Sequence, residues 1–266
     1  KIPVICLGNI YIGGTGKTPL SILIAEELII NKKKPAIIKK YYYDHSDEHN
    51  LINARLNCLF LNKKRTVALR DAINKQCNFA ILDDGFQDFS IKKDLNILCF
   101  NSEQLIGNGM TIPSGPLRES LNSIKKSEII IINGKKNQIF ENKIKSISKE
   151  VKILYSKYIP TNIKEFKNKN LFAFAGIGNP SNFFKLLTDN QLKVKKKIQF
   201  PDHYEFNKME IQEMIDLADK ENLQIITTEK DYFRIKKFNF KDINFLKIRL
   251  EIKKKDELIN HILNLK

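Results

Sequence analysis

Cysteine is scarce and scattered in this sequence: Cys6, Cys58, Cys77 and Cys99 form no C-x-x-C pair. Cys6, Cys58 and Cys99 lie in or beside apolar, strand-like runs, where a thiol acts as a small hydrophobe. Metal binding by them is therefore not expected, and a reducing compartment fits. No apolar run approaches the ~18 residues that a membrane-crossing helix needs. Acidic residues are also short, 30 Asp and Glu against 46 Lys and Arg, for a formal net charge of +16. That excess suits polyanions: nucleic acid, phosphorylated substrates or an acidic membrane surface. It also follows from a composition crowded with Lys, Asn and Ile, so charge alone selects no partner. No clustered basic–aromatic motif supports a nucleic-acid interface, and none is expected. No internal repeat is present.

What the chain does have is alternation. Short β runs, "IPVICL" (Ile2–Leu7), "PAII" (Pro35–Ile38), "CLFL" (Cys58–Leu61), "FAIL" (Phe79–Leu82), "LNILCF" (Leu95–Phe100) and "EIIII" (Glu128–Ile132), are separated by helical patterns at Lys17–Ile30, Asp47–Leu56 and Arg65–Asn74. Strand–helix alternation is the signature of a parallel sheet with crossover helices. After a lysine-rich connection at Pro160–Asn170 it resumes with "LFAFAG", a helix from Pro180, "KIQF", a helix near Lys208–Glu221, "QIITT", "NFLKI" and a last helix. Two α/β lobes are expected, residues 1–160 and a smaller one over 166–266.

Between the first strand and the first helix stands "NIYIGGTGKTPL" (Asn9–Leu20). A P-loop reads Gly, four residues, then Gly-Lys-Thr; the first glycine falls here on Tyr11, so the match is incomplete. Gly13 and Gly14 still supply backbone that can wrap a phosphate. Lys17 would reach the β- and γ-phosphates and the Thr18 hydroxyl a Mg²⁺ ion. The helix behind them, amphipathic through Leu20, Leu23, Ile24 and Leu28, directs its N-terminal partial charge at an anion. Pro19 sits in its first turn, where a missing N–H costs little. The nucleotide-binding stretch is thus Tyr11, Ile12, Gly13, Gly14, Thr15, Gly16, Lys17 and Thr18. "FAILDDGFQD" adds an apolar strand ending in Asp83-Asp84, where a Walker-B carboxylate meets the metal. The expected fold is P-loop NTPase-like, a doubly wound, mostly parallel sheet with a second, smaller α/β lobe.

Six separated motifs, "GNIYIGGTGKTP" (Gly8–Pro19), "LDDGFQ" (Leu82–Gln87), "GNGMTIPSGPLRE" (Gly107–Glu119), "FAGIGNP" (Phe174–Pro180), "FPDHY" (Phe200–Tyr204) and "TTEKD" (Thr227–Asp231), together resemble the tetraacyldisaccharide 4′-kinases, or lipid A 4′-kinases. The similarity covers nearly the whole chain, and the misfit at Tyr11 belongs to that family's version of the loop. The resemblance implies phosphorylation by ATP of the 4′-hydroxyl of an acylated glucosamine disaccharide 1-phosphate, with Mg²⁺, on the cytoplasmic face of the bacterial inner membrane. It implies partners limited to the lipid substrate and an anionic membrane surface, with no obligate protein partner. Attachment would be peripheral, or through an N-terminal anchor not included in this sequence.

The resemblance also implies roles. Lys17, Asp83, Asp84, Arg118 and His203 would be catalytic. Thr18, Asp83, Asp84 and Glu119 would serve the metal, with Arg118 neutralising phosphate charge. His203 would share the acceptor hydroxyl's proton with a carboxylate; His45, His49 and His261 are read as structural. In "TTEKD", Thr228 caps a helix with Asp231 reciprocating three residues on.

Two departures stand out. Where many members have Asp before Arg, this chain has Lys64 before Arg65, and a cation cannot orient an imidazole as a carboxylate does. Either Asp83, Asp84 or a nearby acid such as Asp202 supplies the base, or turnover is weak. In place of Ser-Arg-Gly-Tyr-Gly this chain reads Lys39-Lys40-Tyr41-Tyr42-Tyr43, followed by a much shortened segment. The tyrosines would meet the membrane interface, stack on sugar, or pack as a strand end. The competing function is a P-loop ATPase switch acting on a protein partner; Ile12, where such loops carry an extra lysine, weighs against it.

Overall fold

Strand–helix alternation carries through the computed structural model, which describes residues 2–12, 14–42, 46–202 and 204–265. Gly13, Tyr43, His45 and His203 lie outside the described residues, as does the side chain of Asp47. The chain divides into two units, one of Lys1–Tyr42, Ile52–Tyr158 and Leu250–Lys266, the other of Tyr43–Leu51 and Ile159–Arg249.

The elements up to that division are β1 (Val4–Gly8), α1 (Lys17–Ile30), β2 (Pro35–Lys40), α2 (Ser46–Arg55), β3 (Leu59–Asn62), α3 (Arg65–Asn74), β4 (Phe79–Asp83), β5 (Leu95–Asn101), β6 (Ile129–Asn133), α4 (Gln138–Ile147) and β7 (Lys152–Pro160). After it come β8 (Asn170–Ala175), α5 (Pro180–Asp189), β9 (Lys193–Gln199), α6 (Lys208–Lys220), β10 (Gln224–Thr228), α7 (Glu229–Ile235), β11 (Ile243–Leu246), β12 (Ile248–Ile252) and α8 (Lys255–Leu263).

The larger sheet has the order β12-β7-β6-β5-β1-β4-β2-β3, and β1 to β7 pair in parallel. Parallel strands covered on both faces need apolar side chains on both, which is why β1, β4 and most of β6 read as unbroken hydrophobic runs and are buried throughout. After β1 the chain winds to one side of it, and from β5 onward to the other. Ligand crevices in open α/β sheets form at the carboxyl ends of strands at such a reversal.

Several expectations change. Helix α1 is not a one-sided amphipathic helix: Thr18, Leu20, Ser21, Ile22, Leu23, Ile24, Ala25 and Leu28 are all buried. A helix apolar on most sides is a core helix. Strand β7 and helix α4 were not anticipated. "NFLKI" is not one strand; β11 ends at Leu246 in the smaller sheet and β12 begins at Ile248 in the larger one. The smaller lobe therefore does not run to residue 266. Strand β12 covers the β7 edge, with the Lys253 N–H donating to the Tyr155 carbonyl at 2.9 Å. Burial of Leu258, Ile259 and Ile262 then holds α8 to the first unit. An exposed sheet edge is a liability that such a covering removes.

The smaller sheet, β11-β10-β8-β9, is also parallel. On one side Phe172 and Phe174 of β8 pack with Phe206, Ile211 and Met214; on the other Leu171 and Ala173 meet Phe183, Phe184 and Leu187 of α5. Thr228 caps α7, accepting the Asp231 N–H at 3.1 Å. Asp231 reciprocates through its side chain, at the Thr228 hydroxyl. Its buried carboxylate accepts the Gly176 N–H at 3.1 Å and the Thr228 hydroxyl at 2.6 Å, and pairs with Arg234 at 2.9 Å. All four cysteines are buried thiols, and burial pushes Cys6 and Cys99 up to about 12. Among the described residues no helix is long and apolar enough to cross a membrane.

Candidate active site

The glycine loop leaves β1 and enters α1, and its two halves behave differently. Tyr11 is fully buried, its ring 5.8 Å from that of Phe100 and its hydroxyl accepting the Asn101 N–H at 2.6 Å. The Ile12 N–H donates to the Pro116 carbonyl at 3.0 Å, and the Arg118 N–H donates to the Ile10 carbonyl at 2.7 Å. Tyr11 and Ile12 thus stitch the loop to β5 and to the 116–118 segment; the Tyr11 side chain and the Ile12 amide are committed to protein. An aromatic ring in the first-glycine position works because it points into the core.

The second half is the open one. Gly16 adopts φ 87°, and a Cβ there would lie 2.8 Å from the Tyr158 hydroxyl. Left-handed backbone with a neighbour this close explains glycine at the helix entry. Lys17 and Thr18 follow as the first helical residues, where backbone N–H groups have no intrahelical acceptor.

Two aspartates meet these side chains. Strand β4 lies beside β1 and ends in Asp83, so the carboxylate emerges next to the loop. Thr18 donates its hydroxyl to Asp83 Oδ2 at 3.1 Å, and the Lys39 ammonium reaches the same oxygen at 2.8 Å. Asp83 Oδ1 is buried and has no hydrogen-bond partner. Asp84 turns away with φ 58°, a conformation that aspartate tolerates better than most residues. Its carboxylate lies 3.4 Å from Lys17 Nζ and 3.5 Å from Arg118. Burial raises the Asp84 pKa, but Lys17, Arg118 and Lys39 outweigh it and hold the carboxyl below the usual range. Three cations on two carboxylates leave the loop positive, as a polyphosphate site requires.

Arg65 buttresses the turn, donating to the Asp84 carbonyl at 2.6 Å and pairing with Asp88 at 3.2 Å. Glu119 stands apart from the aspartates in its bonding. Its carboxylate accepts Gln87 Nε2 at 2.9 Å and the Ser123 hydroxyl at 2.7 Å, with Lys126 at 3.3 Å. Burial raises its pKa, but those hydrogen bonds hold it below the usual range. Gln87 also donates to the Asn9 carbonyl at 3.0 Å, tying the loop to the Glu119 segment. Among the described residues no group of three or more His, Cys, Asp or Glu is arranged to hold a metal.

Lys17, Thr18, Asp83, Asp84 and Arg118 therefore come together, with Gly14, Thr15 and Gly16 in the loop beside them. Gly13 and His203 fall outside the described residues. Lys64 is exposed and immediately precedes α3, and Asp202 is exposed. Sequence reasoning missed Lys39. The available signal was a lysine ending the buried strand "PAIIKK", whose Ile38 pairs with the Leu82 that precedes Asp83.

With this geometry stands a family match: the model for tetraacyldisaccharide-1-P 4′-kinase (LpxK) covers residues 1–54 and 42–265. The chain belongs to that family. A tetraacyldisaccharide 4′-kinase of Pelagibacter ubique (strain HTCC1062) is 45% identical over 268 residues, all of this chain and 85% of the relative. One from Brucella ovis is 31% identical over 253 residues, 88% of this chain and 74% of the relative. Among solved structures, the "apo" form of LpxK from Aquifex aeolicus in complex with ATP matches with a TM-score of 0.72 at 22% identity, covering 99% of this chain and 88% of that one. The family's fold thus holds, a mostly parallel α/β sheet with a second sheet behind it in the chain.

Proposed function

We propose that this member of the family is an ATP-dependent kinase that phosphorylates the 4′-hydroxyl of a tetraacylated glucosamine disaccharide 1-phosphate, a step of lipid A biosynthesis. The observation that carries the reading is the pairing of Thr18 with Asp83 and Lys17 with Asp84 at the open half of the glycine loop. Phosphoryl transfer asks a protein chiefly for positioning and charge neutralisation, and both are built from these side chains. Backbone amides from Gly14 to Thr18, with Gly13, hold the β- and γ-phosphates. Lys17 and Arg118 take up the charge that spreads over the transferring group.

The Thr18 hydroxyl and the unpartnered, buried Asp83 Oδ1 are hard oxygen donors of the kind that Mg²⁺ takes. These residues fit the ion, and Asp84 lies next in the chain. Glu119, bonded at both oxygens, serves the site by fixing Gln87 and the loop. When bound, Mg²⁺ would supply positive charge to offset that of the nucleotide's phosphates. His203, with an acid partner, is assigned the proton of the acceptor hydroxyl. The net charge of +16 suits the substrate's 1-phosphate and anionic headgroups on the cytoplasmic face of the inner membrane.

The test is transfer of labelled γ-phosphate from Mg-ATP to the acylated disaccharide 1-phosphate in detergent. Product should form in proportion to ATP consumed, and His203→Ala should slow it. No transfer to the lipid, with ATP hydrolysis stimulated by a protein instead, would support the switch reading.

A further inference from the structure

The segment Lys39–Tyr43, where the family usually begins with serine, is not used by the mechanism above, yet its first residue enters the site. Lys39 ends β2, and the parallel register pairs Ile38 with Leu82, so the next residues, Lys39 and Asp83, leave adjacent strands side by side. The ammonium lies 2.8 Å from Asp83 Oδ2, with the lysine side chain 6% and the aspartate 0% exposed. The same oxygen receives the Thr18 hydroxyl, while Oδ1 is left without a partner.

Stability explains this pair poorly. Taking both charges out of water costs several kcal/mol, and apolar residues of similar size commonly do as well or better. A buried cation at the carboxyl end of a strand, beside a phosphate loop, does have an electrostatic use. It attracts a polyphosphate and opposes a second cation, and both effects strengthen when water is excluded.

We propose that Lys39 is a resident cation of the phosphate site, a positioning residue that fixes Asp83 through Oδ2 and performs part of the charge neutralisation otherwise left to the divalent metal. It leaves Oδ1 as the carboxylate's remaining donor. The proposal rests on the kinase reading and adds two consequences. ATP without metal should bind unusually well, and the metal should bind less tightly than it would beside a neutral residue.

The experiment is calorimetric titration of wild type and Lys39→Ser with ATP, in excess EDTA and in Mg²⁺, followed by a Mg²⁺ titration of the ATP complex. Wild type should bind metal-free ATP within roughly tenfold of Mg-ATP, and Lys39→Ser should lose roughly tenfold or more of the metal-free affinity. The half-saturating Mg²⁺ concentration should fall in the variant. Wild type that binds ATP only with Mg²⁺ overturns the proposal without any variant having to fold. So does a folded Lys39→Ser protein with unchanged metal-free affinity. In both cases the kinase reading stands, whereas absence of ATP binding under every condition removes both.

Discussion

Asp83 and Asp231 are both fully buried, and each stands at or just after the C-terminal end of a parallel strand in its own unit. They differ in what they lack. Asp231 has both carboxylate oxygens engaged, Oδ2 by the Gly176 amide and the Thr228 hydroxyl and Oδ1 by Arg234. Asp83 shares one oxygen between Thr18 and Lys39 and leaves the other bare. A buried carboxylate costs several kcal/mol unless its acceptor sites are filled. The filled one explains itself as scaffold, fixing the 176 turn against α7. The half-filled one offers the oxygen that the metal proposed above would take.

Perturbing the glycine loop should separate these roles most sharply. Lys17→Ala should reduce phosphoryl transfer by about 10³-fold or more, since it removes a charge aimed at the transferring group. Its melting temperature should stay near wild type, because the lysine's partner Asp84 is one-third exposed and keeps Arg118. A Lys17→Ala protein with near-normal transfer would break the comparison outright.

The aspartates themselves come next. Asp83→Asn should cost roughly 10²-fold in rate; the amide oxygen still accepts from Thr18 and Lys39, so the loss of stability from the counter-charge taken from buried Lys39 should be smaller than that of Asp231→Ala. Asp231→Ala should do the opposite. Stranding the Arg234 guanidinium and the Gly176 amide should cost about 3–5 kcal/mol in denaturant unfolding, with kcat of the folded fraction unchanged. Equal losses of rate and stability in both variants would erase the distinction.

A smaller effect is expected at the helix entry. Gly16→Ala puts a Cβ at φ 87° against Tyr158, a strain of about 1–2 kcal/mol. It should appear as a roughly tenfold weaker ATP affinity by calorimetry.

The smallest concerns Lys64, an N-cap residue whose side chain caps nothing. Lys64→Asp should stabilise α3 by about 0.5–1 kcal/mol, read as a small rise in melting temperature. A rise in transfer rate alongside would identify the missing carboxylate as the base that this chain has done without.

Much of this was legible in the chain itself. Runs such as "FAIL" and "EIIII" can only be strands covered on both faces, and the ends of α1 and α3 fall where the sequence pattern puts them. Lys17, Thr18, Asp83 and Asp84 are local signals, each tied to the end of an element, so their convergence follows from the order strand, loop, helix, strand. Three of the features that were not legible share one reason. "NFLKI" divides between two sheets, Tyr11 turns inward to Asn101, 90 residues on, and Lys39 reaches Asp83, 44 residues on, because each depends on which strands become neighbours. Local periodicity states which faces of a segment are apolar; the pairing order of the strands states what those faces and their terminal side chains meet.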